Sequence, residues 1–196
     1  MSVSQAENAK KSSSILANPA PLGLMGFGAT TVLLNLYNAG IISSTSIGMI
    51  FAMGLFYGGL AQVIAGILEF VKGNTFGMVA FTSYGMFWIA VVALLVFPVM
   101  GWAKAVDGTS MALFFAVWGI FTAYMFVATL KKNLALQVVF GTLTILFVLL
   151  AIADYTGIAM VKTIAGYEGI LCGASAIYLA CAEVMNESFG KKVLPV

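Results

Sequence analysis

Residues 12–68, SSSILANPAPLGLMGFGATTVLLNLYNAGIISSTSIGMIFAMGLFYGGLAQVIAGIL, contain no charged side chain. A helix rises 1.5 Å per residue, so about 20 apolar residues cross a hydrocarbon layer of ~30 Å. This stretch is therefore long enough for two crossings, and the polar run Ser43-Ser44-Thr45-Ser46 marks the turn between them. Working outward, residues 73–103, 108–130 and 133–153 are also free of charge. Spans are predicted at 22–42, 47–70, 77–99, 110–130, 134–153 and 165–186. Transmembrane strands would show segments of about ten residues with apolar and polar positions alternating, and these runs do not alternate. Helices are the remaining way to satisfy the backbone in lipid. The predicted fold is an all-α integral membrane protein with six transmembrane helices.

The composition agrees. The chain is 62% hydrophobic and 8% charged, against roughly a quarter charged for soluble domains. Residues 1–17 are expected to form a polar cytoplasmic tail, residues 18–190 the membrane domain and residues 191–196 a short cytoplasmic tail. The N-terminal stretch has no signal-peptide pattern.

All nine positive charges are lysines. With six spans both termini share one face. That face holds Lys10, Lys11, Lys72, Lys131, Lys132, Lys191 and Lys192, and the other holds Lys104 and Lys162. The positive-inside rule puts the richer face in the cytoplasm, so the expected location is the inner (plasma) membrane. A net charge of +2 gives no basis for a nucleic-acid partner, and the lysines at the span ends suit lipid headgroups. Cys172 and Cys181 lie nine positions apart in one apolar span, too far along a helix to pair.

Absences narrow the chemistry. The chain has no histidine, which excludes His-ligated haem, a Ser-His dyad and His-based zinc sites. It has no arginine, which excludes a voltage-sensor helix. Asp107 and Asp154 sit at span ends rather than as a pair within the membrane. No metal, no cofactor and no catalytic residue is expected. A transporter or an inert scaffold remains.

Polar side chains in hydrocarbon seek protein or water. Phe27, Thr31 and Asn35 recur every four residues in the first span, and Gly58, Gln62, Ala65 or Gly66, and Glu69 share a face of the second. With Thr82, Ser83, Tyr84, Thr142 and Thr144 they are expected to line a pore, although hydrogen bonds between helices would account for any one of them. Gly54 with Gly58, and Gly169 with Gly173, follow the small-xxx-small pattern, which serves packing within a protomer or between protomers equally. No lysine waits at mid-membrane, so a small anion, its neutral acid or a small amide would bind weakly.

Asn18-Pro19-Ala20-Pro21-Leu22-Gly23-Leu24 resembles the signature of the acetate and succinate transporter family, the YaaH-type or SatP-like succinate-acetate permeases. The similarity continues through 56–62 (FYGGLAQ), 73–77 (GNTFG), 81–85 (FTSYG) and 172–179 (CGASAIYL). In that signature the prolines stiffen the approach to the first span, and Asn18 is expected as its N-cap.

The resemblance implies six spans and one path in each protomer, a homo-hexameric ring, and an apolar constriction at Phe27, Tyr84 and Leu143. It implies passage of acetate, succinate and similar carboxylates, coupled to protons or running downhill. Position adds Asn18, Thr31, Asn35, Gln62, Ser83 and Thr144 as candidate polar contacts, and Glu69 and Glu183 as candidate proton-handling groups. A channel for urea or another small amide, and a non-transporting scaffold subunit, are the alternatives.

Overall fold

The computed structural model describes residues 16–196. Six helices are long and apolar enough to cross a membrane: α1 Ala20–Asn38, α2 Ser44–Val71, α3 Thr75–Val99, α4 Gly108–Thr129, α5 Leu134–Thr156 and α6 Ala159–Ser188. The predicted six-helix fold is observed. The N-terminal tail predicted for residues 1–17, with Lys10 and Lys11, lies mostly outside the described residues.

Local signals set the helix ends. Asn74 Oδ1 accepts from Gly77 N at 3.2 Å and caps α3; Asn133 Oδ1 accepts from Leu136 N at 2.8 Å and caps α5. Asp107 caps α4, and its bonds from the Ser110 backbone and hydroxyl hold this exposed carboxyl below the usual carboxylate range. The largest boundary difference is at α6, which begins six residues before its predicted start. Gly157, at φ +67°, reverses the chain within two residues. Lys162 consequently lies inside the helix, where it bonds Asp154 of α5 at 2.9 Å.

α2 is not uniform. Its first turn, Ser44–Ser46, is a 3₁₀ turn, and Phe56–Ala61 forms a π-helical turn between the α-helical pieces Ile47–Leu55 and Gln62–Val71. Such a turn accommodates an extra residue and shifts the faces beyond it. Beyond it Gln62, Ala65, Gly66 and Glu69 are all buried, as the shared face predicted.

Helix backbones pack side by side in the order α4, α5, α6, α1, α2, α3. The most extensive packing joins α1 to α6, where a Cβ on Gly28 would lie 2.7 Å from the Gly173 carbonyl oxygen, and one on Gly173 equally close to that of Gly28. Gly169 sits on the Asn35 side chain, Gly58 on Thr30, and Gly54 on Val92 and Trp88. The small-xxx-small pairs therefore pack helices within this chain. Between α3 and α4–α5, large side chains fill the space: Tyr84 and Phe87 meet Trp118, Phe121, Phe140 and Phe147 at ring-centroid distances of 5.0–6.1 Å. The outward faces carry exposed apolar residues such as Phe56, Leu113, Ile120 and Leu171, as lipid requires. The chain is a multi-pass membrane protein.

Candidate functional site

A cavity of about 320 Å³ opens where α1, α3 and α5 begin and α2, α4 and α6 end. That volume lies at the small end of ligand pockets. Asn18, Lys72, Asn74, Lys132, Asn133 and the carboxyls of Glu69 and Glu183 surround its mouth; Leu24, Phe76, Phe81, Leu136, Val139 and Phe140 form its walls. Phe27, Gln62, Tyr84 and Leu143 lie deepest. Phe27 follows Asn18 by nine residues, while Tyr84 and Leu143 each follow their cap asparagine by ten. At the helical rise this is about 13–15 Å, near the middle of the hydrocarbon.

The mouth is knitted by polar side chains from three helix ends. Lys72 Nζ donates to Asn18 Oδ1 at 2.9 Å, and Asn18 Nδ2 donates to Glu183 Oε2 at 2.7 Å. Asn18 is thus not the N-cap that its sequence position predicted. Pro19 occupies the cap without a side-chain bond, and Asn18 Oδ1, one residue earlier, accepts from Ala20 N at 3.3 Å. The helix starts one residue later than that reading requires, and the Asn18 amide instead cross-links α2 and α6. Glu69 is fully buried. Its Oε2 accepts from Asn74 Nδ2 at 2.7 Å, and its Oε1 has no partner. Gly77 leaves the space for it, since a Cβ there would lie 2.8 Å from the Glu69 carboxyl carbon.

The aromatic floor is compact. Phe27 and Tyr84 have ring centroids 5.9 Å apart, and both are buried with Leu143. The Tyr84 hydroxyl lies 2.8 Å from that of Thr122, which donates to the Trp118 carbonyl at 2.7 Å. Gln62 Nε2 donates to the Gly58 carbonyl at 2.6 Å across the π-helical turn.

Four of the predicted polar contacts do not line this cavity. Thr144 donates to its own helix at the Phe140 carbonyl, 2.8 Å away, and Thr142 does likewise to Val138 at 2.7 Å. Asn35 donates to the Thr31 carbonyl at 2.9 Å, accepts from Asn38 at 3.0 Å, and fills the space under Gly169. Thr31 is buried with its hydroxyl unpartnered, and Ser83 is half-buried. For Thr144 and Thr142 the physical reason is that a hydroxyl in an apolar helix satisfies itself on the preceding turn without needing a pore.

Sequence reasoning missed Lys72, Asn74, Lys132 and Asn133 at the mouth, although an asparagine opening an apolar run is a cap signal. It also missed Thr122, an isolated hydroxyl with no pattern around it. Glu168 of α6 was missed as well. It is half-buried, and neither carboxyl oxygen has a hydrogen-bond partner.

The model of the GPR1/FUN34/yaaH family matches residues 3–195. The succinate-acetate/proton symporter SatP of Escherichia coli is 55% identical over 181 residues, covering 92% of this chain and 95% of that protein. Acetate permease A of Emericella nidulans is 35% identical over 196 residues, covering 92% of this chain and 65% of that one. Among solved structures, that of the bacterial acetate channel SatP superposes with a TM-score of 0.90 at 55% identity, covering 92% of this chain and 99% of the other. On the family model and these identities, the chain belongs to the GPR1/FUN34/yaaH family.

Proposed function

We propose that this protein carries acetate and other small carboxylates, succinate among them, across the cell's inner membrane through a path within each protomer. The observation that supports this most directly is the cavity running from one membrane face to an apolar floor at mid-depth, in a chain similar along its length to a succinate-acetate symporter and an acetate channel. Lys72 and Lys132 at the mouth attract a carboxylate, and Glu69 and Glu183 beside them offer proton-binding groups for coupling. Phe27, Tyr84 and Leu143 form the constriction, where a solute sheds water and is sorted by size. Asn18 and Gln62 supply weak polar contacts on the way.

The lysine bias supports a cytoplasmic mouth with both termini on that side. A ring of six copies with one path each is part of the same reading, and it rests on the family resemblance of the sequence motifs. No catalytic step is assigned to any residue. A urea channel or an inert scaffold would leave the likeness to carboxylate transporters without explanation.

The test is flux of radiolabelled acetate and succinate into liposomes holding the purified protein, with and without an imposed pH gradient. Protein-free liposomes give the background. Uptake above background that rises with an inward proton gradient is expected, and uptake equal to background for both acids would refute the proposal.

A further inference from the structure

The Tyr84 hydroxyl at the floor of the cavity has its proton committed, and the partner that commits it is on α4. Thr122 carries one hydroxyl proton. A backbone carbonyl only accepts, so the 2.7 Å bond from Thr122 Oγ1 to the Trp118 carbonyl uses that proton. In the 2.8 Å contact between the two hydroxyls, Tyr84 must therefore be the donor and Thr122 Oγ1 the acceptor. Thr122 is completely buried and does not line the cavity, so the pairing of the two hydroxyls lies in the packing between α3 and α4. Tyr84 thus presents only an accepting oxygen to the path. Phe27 and Leu143 beside it offer no donor either. Gln62, whose amide already donates once to Gly58, has one N–H and one carbonyl oxygen remaining.

We infer that Thr122 is a specificity-determining residue: by holding the hydrogen bond that Tyr84 can donate, it makes the constriction an acceptor, favouring the protonated carboxylic acid over its anion. A carboxylic acid donates its O–H to the Tyr84 oxygen and matches the donor and acceptor of Gln62. A carboxylate meets a lone pair at the point where it has lost water, which raises its barrier. Thr122 acts through Tyr84 and does not itself line the cavity. The inference rests on the proposed carboxylate path.

Neutral acetic acid crosses bare lipid, so the discriminating readout is charge. Purified protein in planar bilayers is given an acetate gradient at a pH where the acid is almost wholly ionised, and the acetate current is compared among variants confirmed as folded by thermal stability and oligomer size. Thr122→Val keeps the shape and removes the acceptor, freeing the Tyr84 proton to turn into the path. Its acetate current is expected to rise about tenfold, the worth of one hydrogen bond at a barrier. Thr122→Ser, which keeps the hydroxyl, is expected to match the parent. Thr122→Val combined with Tyr84→Phe removes the freed proton, and its current is expected to fall below that of the Thr122→Val single variant. Thr122→Ala replaces the valine variant if that one does not fold.

A valine or alanine current no greater than the parent's, or a double-variant current as high as the single's, overturns the inference. Radiolabelled acetate and succinate flux of the parent, measured alongside, separates the two levels. If neither exceeds protein-free liposomes the transport proposal itself fails, whereas parent flux with an unmoved variant current rejects only the role of Thr122.

Discussion

Asn18 and Glu183, 165 positions apart in sequence, are joined by a 2.7 Å hydrogen bond from Nδ2 to Oε2 at the mouth of the cavity. The same asparagine accepts from Lys72, so one amide fastens the start of α1 to the ends of α2 and α6. Asn18→Leu removes both bonds and leaves charged partners half-satisfied. A loss of about 2–3 kcal/mol is expected, seen as a lowered thermal midpoint in detergent. A midpoint equal to the parent's would mean that water replaces the amide without cost.

The close contact of α1 with α6 makes a second prediction. Gly28→Ala and Gly173→Ala each push a methyl to within 2.7 Å of a facing backbone oxygen, which the helices relieve only by separating. Destabilisation of about 1–3 kcal/mol is expected for either. Because both act on one contact, the double variant should lose less than the two effects combined. Thermal midpoints of the three variants decide this, and strict additivity would place the two glycines in independent environments.

Glu168 should behave in the opposite sense. Its carboxyl oxygens are shielded and unpartnered, so replacing the group by an apolar one removes a desolvation penalty. Glu168→Leu is expected to stabilise the protein by about 1–2 kcal/mol. A lowered midpoint would show that the carboxyl has a partner in the assembled protein.

Size selection at the floor predicts the effect of trimming it. Leu143→Ala opens space beside Phe27 and Tyr84, so uptake of lactate relative to acetate should increase several-fold in liposomes. An unchanged ratio would make Leu143 a packing residue alone.

Topology is tested with single cysteines at positions 72, 104 and 131, in a background where Cys172 and Cys181 are replaced by serine. An impermeant thiol reagent should label positions 72 and 131 from one side and position 104 from the other. Labelling of 104 and 131 from the same side contradicts six alternating spans.

Some of this protein is decided locally, and the sequence alone determined that part. Lipid leaves each backbone amide no partner outside its own helix, so any long uncharged run must be a helix, and runs such as 12–68 count the crossings. The number of spans, the common side of the two ends and the placement of lysines at the edges follow from that one constraint. The tertiary structure decided which faces look inward. In a soluble helix the apolar stripe announces the core, but here the lipid side is as apolar as the interior, and the periodic signal is lost. Thr31, Asn35, Ser83 and Thr144 looked like path residues because they are polar, yet they lie away from the cavity, and Thr144 and Asn35 are satisfied on their own helix. Thr122 gave no sequence signal, because its role exists only where α4 brings it to Tyr84. Asn18, Lys72 and Glu183 became a single network only when three helix ends met at one face, where partners far apart in the chain satisfy charges that lipid cannot.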